Sequence, residues 1–374
     1  MAGIYIHIPF CKKACHYCNF HFSTQIQHIE AFVESLIKEI HLQKNYLTDP
    51  IKTLYLGGGT PSLLKEHHLN SLLEALHTNF NIASNLEFTL EANPDDINTI
   101  SAKNWKKIGI NRLSIGIQSF NQQSLAWMNR AHHTDQSHKA LQIVSEEGFS
   151  NISTDLIYGT PHLTDDDLLK DIEFLVNYKV PHVSCYALTV EEKTALHDFI
   201  QKNKMQDVDP TQQARQFELV IKSLAAKDIF QYEISNFSKK GFESKHNSNY
   251  WQGIPYLGLG PSAHSFNGHS RQWNIANNAL YMHSMELGKL NFELENLPLA
   301  TQYNEYMMTS LRQMAGFDLS KIKEKFGDSF YLHTKNISEN LLEKKQLQKT
   351  EKGFALHLSA FFFADGIASD FFII

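Results

Sequence analysis

Six times in the first two-thirds of the chain a short, β-rich apolar run gives way to a stretch with helical periodicity. The runs cover residues 4–8, 53–56, 86–91, 112–117, 152–158 and 182–188. Between them the spacing predicts amphipathic helices over 29–40, 69–80, 135–147 and 166–178. Leu36, Ile37 and Ile40, for example, repeat at the three- and four-residue intervals of one buried helix face. Parallel strands cannot be joined by tight hairpins, so this alternation predicts a parallel sheet with helical crossovers. Six repeats rather than eight predict an α/β fold of the open, partial (β/α)6 barrel kind. Its functional residues should sit at the C-terminal ends of the strands.

Beyond residue 230 the rhythm changes. Residues 231–278 are rich in His, Asn, Gly and aromatics. From Pro298 the pattern turns helical again over 303–314, 319–326 and 331–343. A short hairpin over 346–350 and 354–357 follows, turning at Lys352-Gly353. Three helices and a wing resemble a winged-helix module. Its lysines are matched by Glu324, Asp328, Glu339, Glu343 and Glu351, so packing or partner docking suits it better than DNA. At 374 residues about two domains are expected. We divide the chain into a core domain over 1–230, a connecting region over 231–297 and a smaller, mostly helical, winged-helix-like domain over 298–374. The Phe-rich tail, 361–374, is interrupted by Asp365, Gly366 and Asp370 and is read as a buried terminal element.

The formal charge of −6 excludes a nucleic-acid binder that works by bulk positive charge. No apolar stretch is long and clean enough to span a bilayer, and no cleavable signal follows Met1. Four cysteines, three of them clustered, fit the reducing cytoplasm. A weak membrane-surface contact through the tail and self-association into a homodimer both stay open.

The clustered cysteines are Cys11, Cys15 and Cys18; Cys185 lies far away and reads as a buried strand thiol. Three thiolates on one loop can hold three irons of a [4Fe–4S] cubane and leave the fourth open to a small molecule. The alternative is a zinc site completed by His16 or His21, but zinc ribbons draw on two separated knuckles and no second one exists here. Gly57-Gly58-Gly59-Thr60-Pro61 follows the second strand run and lets a ligand approach the backbone closely. It lacks the Gly-Lys-Ser/Thr ending of a P-loop. Glu91, Gln118, Arg130 and Asp155 lie on or just after successive strands and point to a convergent polar pocket. There an acid can bind a ribose diol and an arginine can pair with a carboxylate.

The spacing Cys11-x₃-Cys15-x₂-Cys18, the Gly57–Pro61 turn and the strand-end polar set resemble the radical S-adenosylmethionine (SAM) superfamily. Tyr5-Ile6-His7-Ile8-Pro9-Phe10-Cys11, Arg112–Phe120 and Asp155-Leu156-Ile157-Tyr158-Gly159 are similar to the anaerobic coproporphyrinogen III oxidase family. The resemblance implies a cluster on Cys11, Cys15 and Cys18, SAM on its open iron and an external electron donor for SAM cleavage. It implies SAM contacts by Tyr5, Tyr17, Gly58, Gly59, Thr60, Glu91, Gln118, Arg130 and Asp155. The oxidases of that family carry a fourth cysteine two residues after the third, where this chain has Phe20, and an N-terminal extension, where only ten residues precede Cys11. Oxidative decarboxylation of coproporphyrinogen III is therefore the alternative and not the expected activity. A radical methyltransferase is weaker still, since Cys185 alone is left as a methyl acceptor. His246-Asn247-x-x-Tyr250-Trp251 resembles the HemW subfamily of haem chaperones. That implies haem as cargo, an acceptor protein, and His246, Tyr250 and Trp251 at the haem, with His264 a second ligand candidate. On the residues alone, His246 capping a loop and the two aromatics packing a domain junction stay open.

Overall fold

A computed structural model describes residues 1–373. Every apolar run is a strand: β1 (Ala2–Ile8), β2 (Ile51–Gly58), β3 (Ile82–Ala92), β4 (Arg112–Gln118), β5 (Ile152–Tyr158) and β6 (His182–Ala187). Neighbours pair in parallel and in sequence order. The crossovers are α1 (Ile29–Leu42), α2 (Glu66–Asn79), α3 (Thr99–Lys107), α4 (Gln122–Trp127), α5 (Thr134–Glu146) and α6 (Asp165–Asn177). The expected helices lie within two or three residues of α1, α2, α5 and α6. Helices α3 and α4 went unforeseen because they are short and bury few apolar side chains, such as Ala102 and Trp105 of α3.

Within each strand the pleat separates two chemistries. One set, including Ile4 and Ile6, Leu54 and Leu56, Phe88 and Leu90, and Leu113 and Ile115, packs into one continuous apolar core. The alternate set is polar: Tyr55, Glu91, Arg112, Ser114, Asp155 and Ser184 surround an internal cavity of about 50 Å³. Cys185, on the apolar face of β6, is 3% exposed, as expected of a strand thiol.

After β6 come α7 (Ala195–Gln201), α8 (Pro210–Ala225), β7 (Phe230–Gln231) and β8 (Asn236–Ser238), with β8 antiparallel to β6. Then α9 (Lys245–Trp251) leads into β9 (Tyr256–Leu259), which pairs in parallel with the free edge of β1. Strands β10 (His264–Phe266), β11 (Ser270–Asn274) and β12 (Phe292–Asn296) continue outward, antiparallel, with α10 (Asn278–Glu286) between the last two. The sheet thus has twelve strands in the order β12-β11-β10-β9-β1-β2-β3-β4-β5-β6-β8-β7. β1 and β6 do not meet, which leaves the six-stranded arc an open partial barrel.

The last segment holds α11 (Leu299–Leu311), β13 (Phe317–Asp318), α12 (Leu319–Phe326), α13 (Asp328–Glu343), β14 (Leu347–Lys349), β15 (Gly353–Leu356) and α14 (Ala364–Ser369). Helices α11, α12 and α13 with the three-stranded sheet match the expected three helices and wing, and α14 follows as a fourth. In the tail, Phe361, Ile367 and Phe371 are buried but Phe362 and Phe363 face solvent; Ile374 lies outside the described residues. No helix among the described residues is long and apolar enough to cross a membrane.

Candidate cluster site and adjoining cleft

The loop that leaves β1 carries the three cysteines, and its ends are tied. Ser23 N–H donates to Pro9 O at 2.8 Å and Cys11 N–H to Ser23 O at 3.0 Å. Its middle is held from outside: His16 N–H donates to Met128 O at 3.1 Å, and Asn129 Nδ2 to Ala14 O at 2.7 Å. All three cysteines are free and half-buried. Burial raises the Cys11 and Cys18 thiols, Cys18 to about 11, so a metal binding there must displace protons. Ligands of one tetrahedral zinc stand about 3.8 Å apart for Zn–S bonds of about 2.3 Å. Among the described residues, the group of three or more metal-ligating side chains whose donor atoms close to within 4.8 Å is Glu30, His67 and His68, and not the cysteine trio. His16 Nδ1 faces Trp127 O at 2.9 Å, and His21 Nε2 faces Asn278 Oδ1 at 2.7 Å, so both rings are anchored to the protein.

A cleft of about 420 Å³ opens beside this loop. The residues expected at SAM line it: Tyr17, Gly58, Gly59, Thr60, Glu91, Gln118, Arg130 and Asp155, with the three cysteines. Tyr5 does not; it lines a second cleft instead. Gly58 has φ of +105°, and a Cβ on it would run into the His7 ring. A Cβ on Gly59 would lie 2.7 Å from both Ile8 O and Phe10 O. The backbone there can be approached only because both residues are glycine. Glu91 is fixed from two sides: Tyr55 OH donates to Oε1 at 2.7 Å and Gly58 N–H to Oε2 at 3.0 Å. Burial raises its carboxyl; burial also lifts the Asp155 carboxyl to about 7, with the Glu91 charge adding to the effect there.

Asn93 ties the pocket together, and motif reading missed its role. Arg130 NH2 donates to Asn93 Oδ1 at 2.7 Å and to Gly116 O at 2.8 Å. Asn93 Nδ2 in turn donates to Thr60 Oγ1 at 3.1 Å. Arg130 NH1 reaches Cys15 Sγ at 3.4 Å, and Thr60 Oγ1 reaches Cys11 Sγ at 3.5 Å. Arg130 Nε is buried without a partner. An orphaned cationic donor, a glycine cradle and three thiols suit a cluster-bound ligand that carries a carboxylate.

The second cleft, of about 680 Å³, lies on the other side of the cluster loop, and Asn19 and Phe20 line both. Its walls include Tyr250, Trp251 and His264, while His246 is not among them. His246 is 2% exposed. Its Nδ1 lies 2.8 Å from Thr53 Oγ1 and its Nε2 2.8 Å from Tyr250 OH. Its ring stacks on Tyr55 with centroids 5.1 Å apart, and burial lowers its pKa to about 3. Its own N–H and that of Lys245 donate to the buried Glu87 carboxylate at 3.0 and 3.2 Å, fixing the N-terminus of α9.

The Radical SAM superfamily model matches residues 5–175, the span that carries the cysteine loop and the glycine turn. The chain is 35% identical to the heme chaperone HemW of Bacillus subtilis over 361 residues, 95% of each chain. It is 33% identical to that of Lactococcus lactis over 365 residues, 96% of this chain and 95% of the relative. Among solved structures, coproporphyrinogen III oxidase (HemN) from Escherichia coli matches with a TM-score of 0.85 at 21% identity, over 99% of this chain and 89% of that one. The last likeness shows the fold, and the first two show the lineage. The chain belongs to the radical SAM superfamily and, within it, to the HemW family.

Proposed function

We propose that this protein carries haem to an acceptor protein and holds a [4Fe–4S] cluster with SAM in the cleft beside its cargo. The observation that carries the reading is the adjacency of the two clefts, which share Asn19 and Phe20 as a wall. The larger is within the size range of small-molecule and cofactor sites, and Tyr250, Trp251 and Phe266 give it an aromatic lining suited to a macrocycle. The names of the HemW relatives, matched over nearly the whole chain, support haem as the cargo.

Cys11, Cys15 and Cys18 would hold the cluster, which supplies one electron for SAM cleavage when an external donor reduces it. Arg130 would pair with the carboxylate end of SAM, and the Gly58-Gly59 turn would let the ligand lie close against the backbone. Glu91 keeps Gly58 in its left-handed conformation through the Gly58 N–H. Phe20 stands where the decarboxylating relatives have a fourth cysteine, so turnover of coproporphyrinogen III is not expected.

An anaerobic haemin titration of the cluster-reconstituted protein tests the reading. Saturable Soret absorbance near one haem per chain is expected, with no decarboxylation of coproporphyrinogen III in the presence of SAM and reductant. Absence of saturable binding, with porphyrinogen turnover, would replace the carrier by the oxidase.

A further inference from the structure

We infer that His264, and not His246, supplies the histidine ligand to the iron of the bound haem, while His246 is a buried packing residue behind the wall. The inference rests on the haem-carrier reading and deepens it. A histidine ligand must offer a ring nitrogen lone pair to the ligand space. His246 offers none: both nitrogens are engaged, by Thr53 and Tyr250, and the ring lies outside the cleft lining. Freeing it would break two buried hydrogen bonds and displace Tyr250.

Three histidines do line the larger cleft: His7, His21 and His264. His7 is held at Nδ1 by Tyr5 OH at 3.1 Å and at Nε2 by His21 O at 2.8 Å. His21 is held at Nε2 by Asn278 and its ring packs on His7 with centroids 6.2 Å apart, which leaves it one nitrogen, Nδ1, against two for His264. His264 is exposed, and among the described residues neither of its ring nitrogens has a hydrogen-bond partner. It is nevertheless ordered, because β10 and β11 pair His264 opposite Trp273, whose ring it stacks on with centroids 5.9 Å apart at 27°.

The charges of the cleft suit the rest of the cargo. Lys325 lines it and has no carboxylate partner among the described residues, which leaves a cation for one propionate. Arg271 also lines it but is already held by both Glu305 oxygens, at 2.8 and 2.9 Å. Ligation itself needs no oxidant or reductant: a ring nitrogen lone pair forms the bond to iron and a water leaves.

The test compares haemin titrations of the full-length, cluster-loaded wild type with His264→Ala and His246→Gln, read by Soret absorbance and the EPR of the ferric haem. The wild type should bind one haem with a histidine-ligated spectrum. His264→Ala should lose that spectrum and bind at least tenfold more weakly, and added imidazole should restore the spectrum. His246→Gln should keep spectrum and stoichiometry, with affinity within about threefold of wild type. Retention of the wild-type spectrum by His264→Ala would overturn the assignment. So would loss of the spectrum in His246→Gln with rescue by imidazole. Cluster absorbance and circular dichroism report whether each variant is folded. Failure of the wild type to bind haem would instead overturn the carrier reading, and this assignment with it.

Discussion

Glu39 is the residue on which the two flanks of the sheet depend. It sits on α1 and is 0% exposed. Its carboxylate accepts from Gly260 N–H at 2.7 Å, Tyr281 OH at 2.6 Å and Asn274 Nδ2 at 2.6 Å. All three donors come from the segment that adds strands to the edge of β1. In Glu39→Ala, Gly260 N–H and Tyr281 OH lose the acceptor found for them here, while Asn274 Nδ2 keeps Gly260 O at 2.9 Å. An orphaned buried donor costs about 1–3 kcal/mol, so two give about 2–6 kcal/mol. Relief of the buried carboxyl, whose pKa burial raises, offsets part of that, and a net loss of about 3 kcal/mol is expected. Glu39→Gln keeps the shape but turns an N–H₂ toward a donor, for a loss of about 1–2 kcal/mol. Urea unfolding of both variants beside the wild type measures this as a lower midpoint at unchanged slope. Hydrogen exchange should rise first in residues 256–274, which include His264. A Glu39→Ala protein within about 0.5 kcal/mol of wild type would refute the reasoning, since that is the scatter of ordinary surface substitutions.

Asn93→Ala should weaken SAM binding about tenfold, because it frees both Arg130 and Thr60; calorimetry on the cluster-loaded protein measures it, and unchanged affinity would remove Asn93 from the site. Gly58→Ala should abolish SAM binding while the cluster still assembles, since a Cβ there strikes His7 and φ is +105°; normal SAM affinity would contradict the cradle. Asp171 is buried beneath Ser119, and desolvation lifts its carboxyl to about 7. Below pH 4 both folded and unfolded states hold that proton. Between pH 4 and 7 the unfolded chain releases it first, so stability falls as pH rises and levels off above 7. Three pH units at about 1.4 kcal/mol each give about 4 kcal/mol. Asp171→Asn should lose that slope between pH 4 and 8 in urea titrations, and parallel pH profiles would refute it.

Where the chain states a pattern locally, the sequence determined the outcome. Each of β1 to β6 follows from an apolar run, and the cysteine spacing with the glycine turn marked the first cleft before any geometry was known. Period-two alternation in a strand and three thiols within eight residues are short-range facts, fixed by neighbours in the chain. Tertiary structure decided the rest. Strands β9 to β12 are short, with Gly258 inside β9 and Gly260 and Gly268 in the connections; β9 is recruited by the unpaired backbone groups at the free edge of β1, and β10 to β12 add outward from it. Which histidine faces a ligand could not be read from the His246 motif, because that turns on Thr53, nearly two hundred residues away. A side chain's type is written in the sequence; whether its nitrogens are free is set by whatever folding packs against it.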